Sequence, residues 1–332
     1  MTEPSHPRTA PLQRTFGRAG IEVGAVGLGC WAIGGPYVNE KGLPCGYGKV
    51  DDEQSCRAVR QALDLGINLF DTAPIYGCGH SERILGRALT GRRDEALIAT
   101  KFSSPIDEAK RIHLSGRRPV DDVPRACEES LRRLNTDRID LYQLHAGNCD
   151  LAEAEAIAGH FERLVEAGKI RYFGWSTDDP ERAAAFARHR HCIAIQHRLN
   201  LLEGDRAMLA TCEHHGLASL NRTPLGKGLL TGKFNPQMRF AEDDVRQPWW
   251  NLVDGREGQQ LQQLNTVRHL LVADGRSLAQ AALGYLWALS DCTIPIPGFK
   301  TPAQVEEHVA AMTYGPLPAE LVQRITSILN GS

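Results

Sequence analysis

The sequence has no charge excess, no long apolar run and no Cys-x-x-C pair, and each absence removes a class of protein. The formal net charge is −2 over 332 residues, without the basic surplus that general binding to nucleic acid or anionic membranes requires. The short basic runs Arg92-Arg93 and Arg117-Arg118 read as solvated surface charge. No stretch of about 20 consecutive apolar residues occurs, which excludes a membrane-spanning helix. Met1 to Ala10 is polar and proline-bearing, with no apolar core of a secretory leader. The nine cysteines scatter from Cys30 to Cys292; an odd number without a leader leads to the expectation of free thiols and a cytoplasmic setting. No G-x-G-x-x-G follows a strand and opens a helix, so a Rossmann dinucleotide domain is not indicated. His189, His191, His214 and His215 have no carboxylate or cysteine at ligand spacing, so no metal is expected.

What is present is an ordinary globular composition, 42% hydrophobic and 23% charged, in which β-type apolar runs alternate with amphipathic helical stretches. That alternation is the signature of repeated βα units. The runs Ala25–Gly29, Asn68–Asp71, Leu97–Lys101 and Ile139–Leu144, then Tyr172–Trp175, Cys192–Gln196, Ala218–Asn221 and Thr293–Pro297, read as strands. Most are apolar throughout, as expected where both faces are buried. Helices are predicted over Asp52–Leu65, Ser81–Leu89, Val123–Leu134, Leu151–Ala167, Glu181–Ala187 and Arg206–His215. Later ones are predicted over Gln259–Val272 and Leu278–Leu289, after Thr301-Pro302-Ala303-Gln304 and over Pro318–Leu329. Asp179-Pro180 and Thr301-Pro302 are N-cap residues followed by proline at the first helical position. The expected fold is therefore α/β, a (β/α)8 TIM barrel with a β-hairpin over Arg14–Val23 and extra C-terminal helices. A flexible tail over residues 1–12 precedes a single domain over 13–332. Asn235–Asp254, with Trp249-Trp250, reads as a long functional loop.

In such a barrel the active site lies at the C-terminal strand ends. Asp71 ends the second strand, Lys101 the third, His145 follows the fourth, and Tyr76 lies in the loop after the second. Reducing a carbonyl needs a hydride donor and a proton donor. A phenol has an ordinary pKa of about 10, and a nearby ammonium, held by a carboxylate, is expected to lower it. A histidine can donate to the carbonyl oxygen and orient it. Taken singly, each residue also has a plain structural reading: a turn cap, a surface charge, an interior histidine, a packing ring. Four such accidents would have to coincide on adjacent strand ends.

The run Gly66-Ile67-Asn68-Leu69-Phe70-Asp71-Thr72-Ala73 with Tyr76-Gly77, then Ser81-Glu82 and Leu85-Gly86, resembles the aldo-keto reductase signature. The resemblance continues in Ile98-Ala99-Thr100-Lys101, Asp140-Leu141-Tyr142-Gln143-Leu144-His145, Gly168–Gly174, Pro224–Lys233 and Ile294–Gly298, in order, across roughly residues 14–330. It implies NADPH-dependent reduction of an aldehyde or ketone, sugar-like or aromatic. Tyr76 would be the proton donor, completed by Asp71, Lys101 and His145. It implies a cofactor held along Gly29, Cys30 and Trp31, with Ser176 and Gln196 on the nicotinamide amide. Further contacts are expected from Arg222, Pro224, Leu225, Gly226, Gly228, Lys233, Gly298 and Thr301, and from Lys300, Gln304, Glu307 and His308 around the adenosine end. Lys300 against a 2′-phosphate favours NADP. Trp31, Phe102, Trp249 and Trp250 are the expected apolar walls for the substrate.

The chain departs from the family at His308, where asparagine is common, and at Asn221-Arg222-Thr223-Pro224, where an aromatic residue usually stacks on the nicotinamide. It departs again at Ala146-Gly147-Asn148-Cys149. Two other functions compete. A Schiff-base aldolase would use Lys101 as nucleophile, against which Asp71 would keep that lysine protonated. A non-catalytic NADPH-sensing module on the same barrel is the other. The expected partner is a small carbonyl compound, with monomer and homo-oligomer both open.

Overall fold

The computed structural model describes residues 10–331, so the first nine residues of the expected tail lie outside the described part. Eight strands follow one another around a parallel sheet: β1 (Leu28–Gly29), β2 (Leu69–Asp71), β3 (Leu97–Phe102), β4 (Ile139–Leu144), β5 (Ile170–Ser176), β6 (Cys192–Asn200), β7 (Ala218–Arg222) and β8 (Thr293–Pro295). Sequence neighbours are sheet neighbours throughout. The sheet closes on itself where Gly29 bridges Gly298. In that seam the Gly27 N–H donates to the Pro295 carbonyl at 3.0 Å and the Gly29 N–H to that of Pro297 at 2.9 Å. Proline carries no N–H and can only accept. The seam is therefore one-sided, and the expected strand Ala25–Gly29 is regular only over its last two residues.

Helices α1 (Asp52–Asp64), α2 (His80–Ala88), α3 (Val123–Leu134), α4 (Leu151–Glu166), α5 (Pro180–Phe186) and α6 (Ala207–His215) follow the first six strands in turn. The caps behave as their chemistry requires. Asp51 accepts the Gln54 N–H. Asp179 caps α5 with proline in its first turn. Two helices, α7 (Arg256–Leu271) and α8 (Leu278–Leu289), fill the passage from β7 to β8. Helix α9 (Pro302–Tyr314) opens with a reciprocal Thr301–Gln304 capping box, which satisfies its first orphan N–H groups. Helix α10 (Ala319–Asn330) ends the described chain.

The hairpin Gln13–Phe16 and Ile21–Gly24 closes the N-terminal end of the barrel. Its Phe16 and Val23 pack with Leu69, Leu97, Leu141, Ile193, Leu220 and Ile294 from the strands. Gly17 at its turn has φ +57°, and a Cβ there would sit 2.2 Å from the Ile193 carbonyl oxygen, so only glycine permits this approach. Leu12 is buried, and its N–H donates to the Met312 carbonyl. With this end filled by side chains, the cavity lies at the opposite mouth.

Three loops wall that mouth. A small sheet of Val38–Asn39, Ile106–Asp107 and Ile112–His113 ties the loop after β1 to the loop after β3. Its two-residue strands are too short to leave a periodic trace in the sequence. The segment 235–254 contains no helix or strand but is anchored. Tyr47 bridges Asp244, and the Val245 N–H donates to the Gly46 carbonyl at 2.7 Å. Arg246 lies over the rings of Tyr47, Phe234, Phe240 and Trp250 while pairing with Asp244.

Candidate active site

The four predicted residues meet at the mouth, in two layers. Asp71 and Lys101, at the ends of β2 and β3, are 2% and 0% exposed. The Lys101 ammonium donates to Asp71 Oδ2 at 2.7 Å, to the Thr72 carbonyl at 2.8 Å and to Tyr76 Oη at 3.4 Å. Tyr76 and His145 are partly open in front of this sealed pair, their ring centroids 6.4 Å apart at 88°. The Tyr76 loop is fixed by backbone packing against the loop after β1: a Cβ on Gly77 would lie 1.9 Å from the Gly34 carbonyl oxygen. Any side chain there would displace the phenol, and with it the geometry a near-attack arrangement needs. Trp31 stacks on Tyr76 from the far side, 5.8 Å between centroids.

The electrostatics correct one expectation. The phenol of Tyr76 is raised well above its ordinary value, by burial first and by Asp71 next, with Arg222 opposing. The ammonium of Lys101, paired with Asp71 at 2.7 Å, does not bring the phenol below its ordinary value. At neutral pH Tyr76 is therefore a protonated hydroxyl, as a proton donor must be. Burial lowers Lys101 below the usual lysine range, and Asp71 works against that loss. His145 is pushed well below the ordinary histidine value by burial, then by Lys101 and Arg222, so its ring is neutral. Ser103 Oγ lies 2.9 Å from His145 Nδ1. If the serine donates there, Nε2 carries the proton and points its donor capacity at the cavity.

Neutral buried histidines have a consequence for stability. His197 is pushed down to about 4 by burial, and His308 is lowered by the same cause. Their folded values lie below the unfolded one of about 6.5, so the unfolded chain takes up protons first as the pH falls. The stability present at neutral pH is then lost progressively below about pH 6.5. We expect the urea midpoint to fall between pH 7 and pH 5, with a shallower fall in His197→Gln. Identical slopes for the two proteins would contradict this.

A cleft of about 810 Å³ opens in front of Tyr76 and His145. It is lined by Gly29, Trp31, Ser176, Gln196, Arg222, Pro224, Leu225, Gly226, Gly228, Trp250, Gly298, Lys300 and Gln304 among the expected residues. Other expected residues lie elsewhere. Cys30 is fully buried behind the wall, because its N–H joins the Asp71 carbonyl in the β1–β2 ladder. Lys233 is exposed outside the cleft. Thr301 is spent on capping α9. Glu307 turns to α8, where its carboxylate accepts from Ser277 Oγ at 2.7 Å. His308 is buried with Nε2 at 3.3 Å from the Gly298 carbonyl. Phe102 lines a separate cavity of about 240 Å³ behind His145, with Arg117 and Arg118. Trp249 is 67% exposed, since only its neighbour Trp250 can join the Phe234–Phe240 ring cluster.

Sequence reasoning missed Gln143, the bond from Gln196 to Asp71, and further cations of the cleft. Gln143 and Gln196 both donate to Asp71 Oδ1, at 3.0 and 2.7 Å, so every side of that buried carboxylate is satisfied. A carboxylate can only accept, which turns the Gln196 Nε2 inward. Arg198, Lys227, Arg246 and Arg256 join Arg222 and Lys300 in the cleft wall, against Asp71, Glu203 and Glu257. This cationic excess, beside the capped N-terminus of α9, fits a ligand carrying phosphates. The glycines at 29 and 228 fit it too. A Cβ on Gly29 would meet the Ile296 carbonyl oxygen at 2.9 Å, and Gly228 has φ +102°. Only the positions of Lys227 and Gly226–Gly228 within a glycine-rich loop gave a hint in the sequence; Arg198 lies on β6, Arg246 in the segment 235–254 and Arg256 at the start of α7.

The family model for the Aldo/keto reductase family matches residues 25–330. Aldo-keto reductase YhdN of Bacillus subtilis is 33% identical over 94% of this chain and 92% of its own. Aldo-keto reductase yakc [NADP(+)] of Schizosaccharomyces pombe is 30% identical over 87% of this chain and 84% of its own. Among solved structures, the holo form of aldo-keto reductase AKR11C1 from Bacillus halodurans aligns with a TM-score of 0.76 at 28% identity, covering 97% of this chain and 96% of that one. An aldo-keto reductase from Klebsiella pneumoniae in complex with NADPH aligns with a TM-score of 0.67 at 25% identity, covering 95% and 94%.

Proposed function

The chain belongs to the aldo/keto reductase family, and from that premise we propose that it reduces an aldehyde or ketone with NADPH, Tyr76 giving the proton. The observation that carries this reading is the layered tetrad: a protonated phenol open to the cleft, backed by a sealed Lys101–Asp71 pair 2.7 Å apart. NADPH, when bound, supplies the hydride. The chain's own residues do the rest. His145, neutral and opposite Tyr76, donates a hydrogen bond to the carbonyl oxygen and sets its direction. Tyr76 Oη releases its proton to that oxygen as negative charge develops there, and Lys101, within 3.4 Å, stabilises the phenolate left behind. Asp71 holds the ammonium in place. Trp31 and Trp250 wall off water on the apolar side. The aldolase reading loses its footing here, because a Lys101 ammonium paired with Asp71 and donating to Thr72 has no lone pair with which to attack.

For the cofactor, Ser176 and Gln196 lie at the end of the cleft nearest the tetrad, Gln196 with its amide nitrogen spent on Asp71 and its oxygen left to accept. Lys300 is the cation for a 2′-phosphate. Among the described residues its ammonium donates only to the main-chain carbonyls of Tyr47 and Lys49, at 2.7 and 3.0 Å, and no carboxylate is bonded to it. The test is NADPH oxidation followed by absorbance against a panel of aldehydes, sugars and ketones, with binding measured in parallel. Turnover of at least one carbonyl is expected. Tight NADPH binding with no turnover across the panel would leave a binding module and reject the reading. We further expect Lys300→Ala to weaken NADPH binding by about 10-fold or more while leaving NADH within about 3-fold; equal losses would reject the 2′-phosphate contact.

A further inference from the structure

Arg222 is the feature of the cleft that the proposed reaction has not used. It ends β7, in register with Arg198 of β6. Its guanidinium is ion-paired with Asp178, on the loop after β5. Asp178 also accepts the Arg198 N–H at 2.7 Å. The pairing is one-sided: Asp178 is 48% exposed, and the Nε of Arg222 is buried with no hydrogen-bond partner among the described residues. Arg222 lines the cleft with Ser176, Gln196, Tyr76 and His145, and its charge reaches both Tyr76 and His145.

We propose that Arg222 makes the seat of the nicotinamide ring electropositive, so that the protein holds the neutral, reduced ring more tightly than the cationic, oxidised one. This rests on the NADPH reading above. The physical reason is simple. Loss of hydride leaves a full positive charge on the ring, and a second cation behind it disfavours that state in a partly desolvated cleft. An aromatic residue at the same place stacks on either form without this penalty. The oxidised cofactor is thereby released more readily, and the equilibrium of the bound couple is shifted towards its reduced form. Asp178 sets the size of the effect, since it neutralises part of the same charge.

The test is the dissociation constant of NADPH and of NADP+, each by calorimetry or tryptophan fluorescence, for the wild type, Arg222→Gln, Arg222→Lys and Asp178→Asn. Arg222→Gln is expected to tighten NADP+ by about three- to tenfold and to leave NADPH within about twofold. Asp178→Asn should move NADP+ the other way, and Arg222→Lys should keep the wild-type preference. The gap between the two forms should narrow as salt is raised. Equal changes in both forms would mean that Arg222 only packs against the ring. No change in either, with a raised KM for carbonyl substrates bearing a carboxylate, would mean that it anchors the substrate. Both results overturn the proposal. A wild type that binds neither form would instead reject the NADPH reading itself. If Arg222→Gln does not fold, the opposite charge change in Asp178→Asn still decides.

Discussion

Tyr76→Phe should lower kcat for carbonyl reduction by about 10²- to 10⁴-fold, the usual contribution of a positioned general acid, with the NADPH dissociation constant unchanged. Among the described residues the hydroxyl is bonded only to Lys101, and at a long 3.4 Å, so its loss removes little structure. The ring keeps its stacking on Trp31 and its backbone stays locked between Gly34 and Gly77. Stopped-flow measurement of hydride transfer and a thermal melt together isolate the chemistry. A variant with kcat near wild type would remove Tyr76 from its role. One that loses activity only in step with lost stability would do the same.

Lys101→Met is expected to lose both activity and stability, and the two losses separate by a second substitution. The methionine removes the counter-charge of a carboxylate that is 2% exposed. Breaking a buried ion pair from one side costs about 3–5 kcal/mol, because the remaining charge is left uncompensated. Adding Asp71→Asn removes that charge, and Gln143 and Gln196, which donate to Asp71 Oδ1, still have an oxygen to bond. The double variant should recover most of the lost urea midpoint but none of the lost turnover. If the double variant is no more stable than Lys101→Met, the pair does not work as a charge couple. If turnover returns with stability, the ammonium is not needed for proton transfer.

Much of the barrel was legible because its rule is local. Six of the expected strands begin within one residue of the observed ones, since an apolar run buried on both faces writes its own boundaries. The caps at Asp179 and Thr301 were legible for the same reason: a side chain bonding an N–H two or three residues away is a short-range event. What was illegible depends on partners distant in sequence. The β8–β1 seam takes its irregularity from Pro295 and Pro297, more than 260 positions from Gly27 and Gly29. The small sheet joining Val38–Asn39 to Ile112–His113 has no periodicity to read. Among the residues expected to hold the cofactor, those on strand ends and the glycine-rich loop reached the cleft. Glu307 and His308 did not, because helix α9 turns that face towards α8 and the Gly298 turn.

The sequence alone determined that this chain is a barrel with Asp71, Tyr76, Lys101 and His145 around one rim. Strand periodicity and the fixed location of parallel strand ends leave few other places for them. Only the tertiary structure decided the protonation of those groups. A sequence shows that a lysine stands near a tyrosine; it does not show that a carboxylate pairs with that lysine at 2.7 Å, or that burial keeps the phenol protonated. It was likewise the folded chain that brought Arg222 and Asp178 together beside the same rim. Charge acts through space and is reshaped by burial, and neither distance nor burial is written along the chain.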